Sequence, residues 1–175
     1  MTTSTNTLKS YITDVSDFPK KGIIFKDITS LLKSPEGVSR CLESLLSELK
    51  NKKIDKVVAV EARGFFFGML LAQSLKVPFV PVRKPKKLPR KVVAQSFDLE
   101  YGSDVLEMHE DAIKPGDKIL IHDDVLATGG TAEAVCKMVE SLGGQIVQCN
   151  FIIKLDFLEG AKKLAPHSIY AAISY

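Results

Sequence analysis

Short apolar runs and amphipathic stretches alternate along most of this chain. The runs have the length and composition of buried strands and cover residues 56–60, 77–82, 119–121, 146–154 and 169–174. Apolar residues recur at helical spacing over 35–49, 65–75 and 132–142, with shorter helical signals over 8–11 and 157–164. Strands that alternate with helices predict an α/β fold with a mainly parallel sheet covered on both faces.

The remaining segments predict features at the edges of such a sheet. Ser34 and Pro35 have the residue types of a helix N-cap and a first helical position. Residues 18–29 carry proline and glycine around an apolar centre, which favours an irregular segment. Polar and apolar residues alternate over 96–101 and continue over 105–108, so we expect a β-ribbon that folds over a site.

The most informative stretch is 118–131, which reads KILIHDDVLATGGT. A loop of small residues joins the carboxyl end of a strand to the amino end of a helix, and its members are Ala127, Thr128, Gly129, Gly130 and Thr131. The first N–H groups of a helix have no partner within the helix, and the helix dipole stabilises an anion bound there by about 0.3–1 kcal/mol. The glycines have no side chain, so the backbone can approach a phosphate closely. We therefore expect an anion site, although neither the triphosphate loop nor the dinucleotide fingerprint matches.

Two adjacent carboxylates, Asp123 and Asp124, precede that loop. Carboxylates repel an anion, whereas they accept hydrogen bonds well from vicinal hydroxyls. One phosphate and one diol together describe a ribose 5-phosphate. The alternative is that aspartate and glycine serve only turn and capping roles at the junction, and the residues by themselves leave both interpretations open.

A second strand–loop–helix junction, 61–64, carries an arginine at its mouth. Arg63 could bind a phosphate as a planar fork, or it could simply pair with Glu61. Phe25 could stack on a planar base, although packing in the core is the stronger interpretation of that residue alone. Because ligands of such sheets bind at the carboxyl ends of the strands, we expect both junctions to border one site.

Composition narrows the class of protein. A chain of 175 residues with 45% hydrophobic and 26% charged residues is typical of one globular domain. No apolar run is long enough for a membrane span and the first ten residues lack the apolar core of a signal peptide, so we expect a cytoplasmic protein without a membrane partner. The three cysteines are expected to be reduced, and the three histidines lack metal-ligand spacing.

The net charge of +3 comes from one segment, the basic run, which consists of Arg83, Lys84, Lys86, Lys87, Arg90 and Lys91. Without these six, 18 basic residues remain against 21 acidic ones, so the rest of the chain is slightly acidic. The run lacks interleaved aromatic residues, and its two prolines prevent a basic helix. We therefore expect no nucleic-acid partner and a segment that is mobile without ligand.

Five segments together resemble the adenine phosphoribosyltransferases of the type I phosphoribosyltransferase family: FPKKGIIFKDIT, EARGF, RKPKKLPR, FDLEYG and DDVLATGGT. The resemblance implies the type I fold in a single domain over 1–175: a mainly parallel twisted sheet flanked by helices, a small N-terminal hood (about 1–33) and a mobile β-ribbon loop (about 83–104). It implies transfer of the phosphoribosyl group from phosphoribosyl pyrophosphate (PRPP) to adenine, giving AMP and pyrophosphate in purine salvage. It also implies a homodimer, and Mg²⁺ held mainly by PRPP and water rather than by protein ligands.

The same resemblance implies roles for the loop residues. Residues 127–131 would cradle the 5-phosphate of PRPP or AMP, and Asp123 and Asp124 would hold the ribose hydroxyls. Arg63 would contact pyrophosphate, and the Glu61–Ala62 peptide bond before it matches a family position that is often cis.

Further roles fall on the hood and on the ribbon loop. Backbone groups of Ile24 and Lys26 would read adenine while Phe25 stacks on it. Lys87 would reach pyrophosphate from the closing loop, and Arg83 would contact pyrophosphate in its own site or in that of a partner subunit. Tyr101 would close over the nucleotide beside Glu100, the candidate for handling the adenine proton, unless Glu100 only orders the loop.

Three positions depart from the family pattern: Lys86 replaces the usual glycine, Phe97 a tyrosine and His122 an aliphatic residue. Two other functions stay open from the residues. One is phosphoribosyl transfer to a 6-oxo base such as hypoxanthine, guanine or xanthine, which presents an acceptor where adenine presents an amino donor. The other is a PRPP-sensing regulator, which is disfavoured because such proteins commonly carry an additional nucleic-acid-binding domain.

Overall fold

The computed structural model describes residues 8–98 and 103–175, and its elements follow the predicted alternation. The helices are α1 (Thr29–Leu32), α2 (Pro35–Ser47), α3 (Gly64–Leu75) and α4 (Gly130–Ser141). The strands are β1 (Thr13–Ser16), β2 (Ile24–Asp27), β3 (Lys56–Val60), β4 (Phe79–Val82), β5 (Val92–Asp98), β6 (Ser103–His109), β7 (Lys118–Leu126), β8 (Gln145–Lys154) and β9 (Ile169–Ser174). Two short 3₁₀ helices cover Asp156–Leu158 and Gly160–Leu164.

Five parallel strands form the central sheet, in the order β4, β3, β7, β8 and β9. Two antiparallel pairs, β1–β2 and β5–β6, lie outside it. This arrangement confirms the predicted α/β class. Because β3 and β7 are parallel neighbours, the junctions that follow them emerge at the same edge of the sheet.

The apolar runs of the central strands face two cores. In β7, Ile119 and Ile121 share a core with Val135 of α4, whereas Leu120 lies in the opposite core with Phe67 of α3. Helix α4 therefore covers one face of the sheet, and α2 and α3 cover the other. This two-sided burial is why the strands read as continuous apolar runs rather than as alternating ones.

Helix α2 begins as its sequence predicts. Ser34 Oγ accepts a hydrogen bond of 3.1 Å from the Gly37 N–H, and Pro35 occupies the first helical position. Cys41, Leu45 and Leu49 of the predicted apolar stripe are buried. The predicted stripe and cap are both confirmed.

Two segments differ from the prediction. Residues 18–29, expected to be irregular, contain β2, which pairs with β1 so that Phe25 lies opposite Val15. Gly22 has a φ of 89° and donates to Asp17 Oδ1, so the glycine belongs to a hairpin connection instead of interrupting an element. Residues 157–164, expected to be one helix, form two 3₁₀ helices because Glu159 between them is left-handed.

The predicted β-ribbon is formed by β5 and β6. Its register runs from Val92 opposite His109 to Asp98 opposite Ser103. Leu106 on β6 is buried in the same core as α4, which ties the ribbon to the body of the protein. No helix in the described parts of the chain is both long enough and apolar enough to cross a bilayer.

Helix α3 approaches the sheet closely because two of its positions are glycine. A Cβ on Gly68 would lie 2.5 Å from the Ala59 Cβ and 3.1 Å from the Phe79 ring. A Cβ on Gly64 would lie 2.8 Å from Asp123 Oδ1. Gly64 therefore lets the amino end of α3 lie against β7, and Gly68 lets the helix lie against β3 and β4.

We expect Gly68→Ala to lower the free energy of unfolding by about 1–3 kcal/mol, because the added methyl group overpacks against β3. At an open helical position the same change stabilises by up to about 1 kcal/mol, so the sign of the effect reports the packing. Urea denaturation measures it, with Ser74→Ala on the exposed side of the same helix as the control. A Gly68→Ala protein more stable than the parent would contradict the close approach.

Candidate active site

A cavity of about 460 Å³ opens at the carboxyl ends of β3 and β7. Its lining comes from strand β2, from the junctions after β3 and β7, from the ribbon β5–β6 with Lys84 before it, and from the segment after β8. The lining includes the predicted residues Ile24, Phe25, Lys26, Arg63, Asp123, Asp124, Ala127 and Thr131. The structure therefore brings together most of the side chains predicted from sequence.

The loop after β7 leaves the amino end of α4 open. Gly129, the N-cap residue, has a φ of 83°, and no side chain caps the helix. The loop residues Thr128, Gly129 and Thr131 line a small cavity of about 60 Å³. Uncapped N–H groups around a small cavity are the arrangement that an anion needs.

Gly160 supports this loop from behind, and the sequence interpretation missed it. A Cβ on Gly160 would lie 2.1 Å from the Ala127 carbonyl oxygen and 2.8 Å from the Gly129 nitrogen. A Cβ on Gly129 would lie 2.4 Å from the Gly160 oxygen. Two glycines distant in sequence thus pack backbone against backbone, and no local pattern around Gly160 signals that contact.

The carboxylates of β7 are close to one arginine. Arg63 Nε lies 2.9 Å from Asp124 Oδ2, and Asp124 is only 5% exposed. Asp123 Oδ1 accepts a 2.8 Å hydrogen bond from the Asp124 N–H. Burial and the neighbouring Asp124 charge raise the pKa of Asp123 well above its ordinary value. Burial also raises the pKa of Asp124, with Arg63 opposing the shift.

Arg63 does not pair with Glu61, so that alternative was wrong. Glu61 instead receives two 3.0 Å hydrogen bonds from the guanidinium of Arg83 and a third from the Lys84 N–H. The hydrogen bonds from Arg83 lower the pKa of Glu61. The Glu61–Ala62 peptide bond is cis, as the resemblance implied.

Phe25 borders the cavity instead of packing in either core, so the stronger interpretation of that residue was wrong. The Arg63 guanidinium carbon lies 4.9 Å from the centre of its ring. The Phe18 ring meets it edge-on at 5.1 Å. The opposing contacts hold the ring at the cavity wall, where its apolar surface is available to a planar ligand.

The basic run contributes a residue to which the sequence interpretation gave no role. Lys84 lines the cavity, and its Nζ lies 3.3 Å from Asp104 Oδ2. Lys87 is exposed and is not among the lining residues, although its carbonyl oxygen accepts a bond from Arg83. Lys86 has a φ of 65°, a left-handed conformation that explains why glycine suits this position.

Of the other two departures, only Phe97 borders the cavity. Phe97 lines it and packs against the core that includes α4. His122 is fully buried, and its Nδ1 lies 2.7 Å from Asn150 Oδ1. Burial lowers the pKa of His122 to about 4, so this imidazole is neutral at physiological pH.

Leu155 and Leu158 complete the cavity wall and were not predicted as site residues. Glu100 and Tyr101, which were predicted, lie outside the described residues. Across residues 8–98 and 103–175, no group of three or more His, Cys, Asp or Glu side chains could hold a metal ion.

Comparison with known proteins identifies this arrangement. Residues 27–171 match the family model of the phosphoribosyl transferase domain. The adenine phosphoribosyltransferase of Flavobacterium johnsoniae is 61% identical over 168 residues, which cover 96% of this chain and 99% of the relative. The chain belongs to the adenine phosphoribosyltransferase family.

Solved structures of the family have the same fold. The enzyme of Thermoanaerobacter pseudethanolicus is 48% identical, with a TM-score of 0.95 over 97% of this chain and 99% of that one. The enzyme of Saccharomyces cerevisiae, solved with adenine and an imino-altritol bisphosphate, is 35% identical, with a TM-score of 0.92 over 98% and 99%. These structures confirm the predicted type I phosphoribosyltransferase fold.

We expect Asp123→Asn to raise the melting temperature at about pH 8. Folding raises the pKa of Asp123, so its contribution to stability is present below the ordinary value of 3.8 and is lost as the pH rises through the raised value. An amide avoids that loss while keeping the shape of the side chain. The gain should shrink as the pH falls towards 3.8.

Thermal unfolding of parent and variant across this pH range is the measurement. Asp111→Asn, at an exposed aspartate outside the cavity, is the control for the general effect of replacing an aspartate by asparagine. A lower melting temperature for Asp123→Asn at alkaline pH would contradict the unfavourable burial of the charge.

Proposed function

We propose that this chain transfers the 5-phosphoribosyl group of PRPP to adenine, giving AMP and pyrophosphate in purine salvage. Membership of the family supports this activity, since a relative 61% identical bears the name adenine phosphoribosyltransferase. The observation in this chain that carries it is one cavity bordered by an open helix terminus, a carboxylate–arginine pair and an aromatic ring.

The 5-phosphate of PRPP is proposed to bind at the junction after β7. The N–H groups of residues 127–131 and the hydroxyls of Thr128 and Thr131 receive the 5-phosphate. Asp123 and Asp124 accept hydrogen bonds from the ribose hydroxyls, which bind an ionised carboxylate more strongly than a protonated one.

The leaving group is a polyanion, so the cavity must stabilise negative charge as the anomeric bond breaks. Arg63 and Lys87 are proposed to bind pyrophosphate, and Lys84 is close enough to the cavity to assist. The carboxylate oxygens of Asp123 and Asp124 suit Mg²⁺, which we expect to be held mainly by PRPP and water. When bound, Mg²⁺ neutralises charge on the pyrophosphate.

Adenine is proposed to enter beside the hood. Among the described residues β2 pairs only with β1, so one edge of its backbone is free of strand partners. Ile24 and Lys26 are two positions apart and present their backbone groups on the same edge. Phe25 supplies a stacking surface, worth about 1–3 kcal/mol per base.

The hood (about 1–33) and the ribbon loop (about 83–104) of the single domain are proposed to close over bound substrates. Closure excludes water, which would otherwise hydrolyse the activated sugar. Glu100 is the proposed acceptor of the adenine proton, and Tyr101 the residue that closes beside it. Arg83 pairs with Glu61 of its own chain in the structure, and the proposal that it reaches pyrophosphate requires that pair to open.

We further propose a cytoplasmic homodimer without nucleic-acid or membrane partners. The basic character is confined to the basic run at the cavity mouth, where pyrophosphate accounts for it. Exposed apolar side chains on α3, Phe66 and Met69, are the surface that would favour self-association.

The purified protein should release pyrophosphate from PRPP and Mg²⁺ when adenine is offered, and not when hypoxanthine or guanine is offered. Coupled pyrophosphate detection with each base separately measures this. Release with a 6-oxo base would overturn the assignment of Ile24, Phe25 and Lys26 to adenine while keeping phosphoribosyl transfer. PRPP binding without release from any base would favour a regulator.

Gly160→Ala should weaken PRPP binding on the order of 10- to 100-fold, because the new methyl group displaces the backbone of Ala127 and Gly129 from the phosphate. Isothermal titration with PRPP and Mg²⁺ is the measurement. Lys162→Ala is the control, since it removes an exposed ion pair from the same turn without approaching the loop. A folded Gly160→Ala protein with parental PRPP affinity would refute the supporting role.

A further inference from the structure

Tyr175, which follows β9, contacts two lysines through one ring. Lys26 Nζ lies 4.0 Å from the ring centroid and Lys9 Nζ lies 4.7 Å from it. Lys26 Nζ also donates to both carboxylate oxygens of Asp14, at 2.8 Å each. The Lys26 side chain is only 12% exposed, so water competes weakly for these contacts. An aromatic ring and a carboxylate thus hold one ammonium group of strand β2.

The backbone of Tyr175 is bound to a second segment that borders the cavity. Its N–H donates to the Lys154 oxygen at 3.0 Å, and its carbonyl accepts from the Asp156 N–H at 2.8 Å. These two bonds bracket Leu155, which lines the cavity and whose N–H donates to the Leu126 oxygen at 3.0 Å. Leu126 is the last residue of β7, directly before the loop that begins at Ala127.

Tyr175 therefore joins two walls of the cavity that are far apart in sequence. Its ring contacts strand β2 through Lys26, and its backbone holds the segment that contains Leu155. Both walls line the same cavity, and strand β2 lies at the end assigned to the base. Tyr175 packs against the core that contains Leu120 and Phe67, whereas α4, which begins at the other end of the cavity, packs in the opposite core.

We propose that Tyr175 is a positioning residue that sets the distance between the base-reading strand β2 and the wall at Leu155, and so tunes adenine binding without touching PRPP. This inference rests on the proposed function, because it takes Ile24 and Lys26 as the adenine-reading positions. The active part of the side chain is the ring: its π face meets the ammonium groups, and the hydroxyl is not required for that contact.

Steady-state kinetics of Tyr175→Leu and Tyr175→Phe test the proposal. Leucine keeps apolar bulk but removes the π face, so the KM for adenine should rise about 3- to 10-fold while the KM for PRPP and kcat stay within about two-fold. Phenylalanine keeps the ring and should restore the parental KM for adenine. Unchanged adenine KM in Tyr175→Leu, a parallel rise for both substrates, or failure of phenylalanine to rescue would each overturn it.

Tyr170→Leu, on the strand that directly precedes Tyr175, is the matched control. The Tyr170 hydroxyl lies 2.8 Å from Ser44 Oγ on α2, away from the cavity, so this variant should lose stability without changing the KM for adenine. An equal rise in adenine KM in this control would show that general loosening, and not the ring at Tyr175, is responsible, and would overturn the proposal.

Hydrogen exchange of the ligand-free proteins gives a readout that does not depend on activity. Amides of β1 and β2 should exchange faster in Tyr175→Leu than in the parent and in Tyr175→Phe, because the ring no longer holds Lys26. Unchanged exchange in all three would overturn the inference. A parent protein inactive on adenine would instead refute the proposed function, and the exchange result alone would then decide the role of Tyr175.

Discussion

Two adjacent carboxylates near the end of β7, one of them buried, are costly to ionise without a nearby cation, and the architecture of the site follows from that cost. Arg63 supplies the cation 2.9 Å from Asp124. It is delivered by the amino end of α3, where the absence of a side chain at Gly64 lets the helix approach Asp123. The same guanidinium faces Phe25, so a single arginine links the ribose end of the cavity to the base end.

Three basic side chains at the cavity already have acidic partners in the same chain: Arg63 with Asp124, Arg83 with Glu61 and Lys84 with Asp104. Asp124 is buried beside Arg63, whereas the other two pairs are partly exposed. Partly exposed ion pairs contribute only about 0–1 kcal/mol each, so they order the side chains without binding them strongly. A polyanionic substrate can displace such partners at little cost. The cavity thus holds cationic side chains that can bind a polyanionic substrate, and acidic side chains neutralise them until the substrate binds.

Much of the fold could be predicted because its determinants are local. The cap at Ser34, the stripe of α2 and the two-sided apolar run of β7 depend on neighbouring residues and on burial, which a sequence pattern records. The hairpin that contains β2 was missed because a glycine turn and an irregular segment share the same composition. The segment 157–164 was predicted as one helix because its apolar spacing does not reveal the left-handed Glu159 that divides it.

The sequence by itself determined the alternation of elements, the open helix terminus after Gly129 and the chemistry of the DDVLATGGT segment, because each depends on residues adjacent in the chain. Only the tertiary structure decided that Arg63 pairs with Asp124 and not with Glu61, and that Phe25 borders a cavity. It alone placed Gly160 against the Gly129 backbone and the Tyr175 ring against Lys26. The physical reason is common to all four. A contact between residues distant in sequence depends on how the helices and strands pack, and the residues next to each partner in the chain do not specify it.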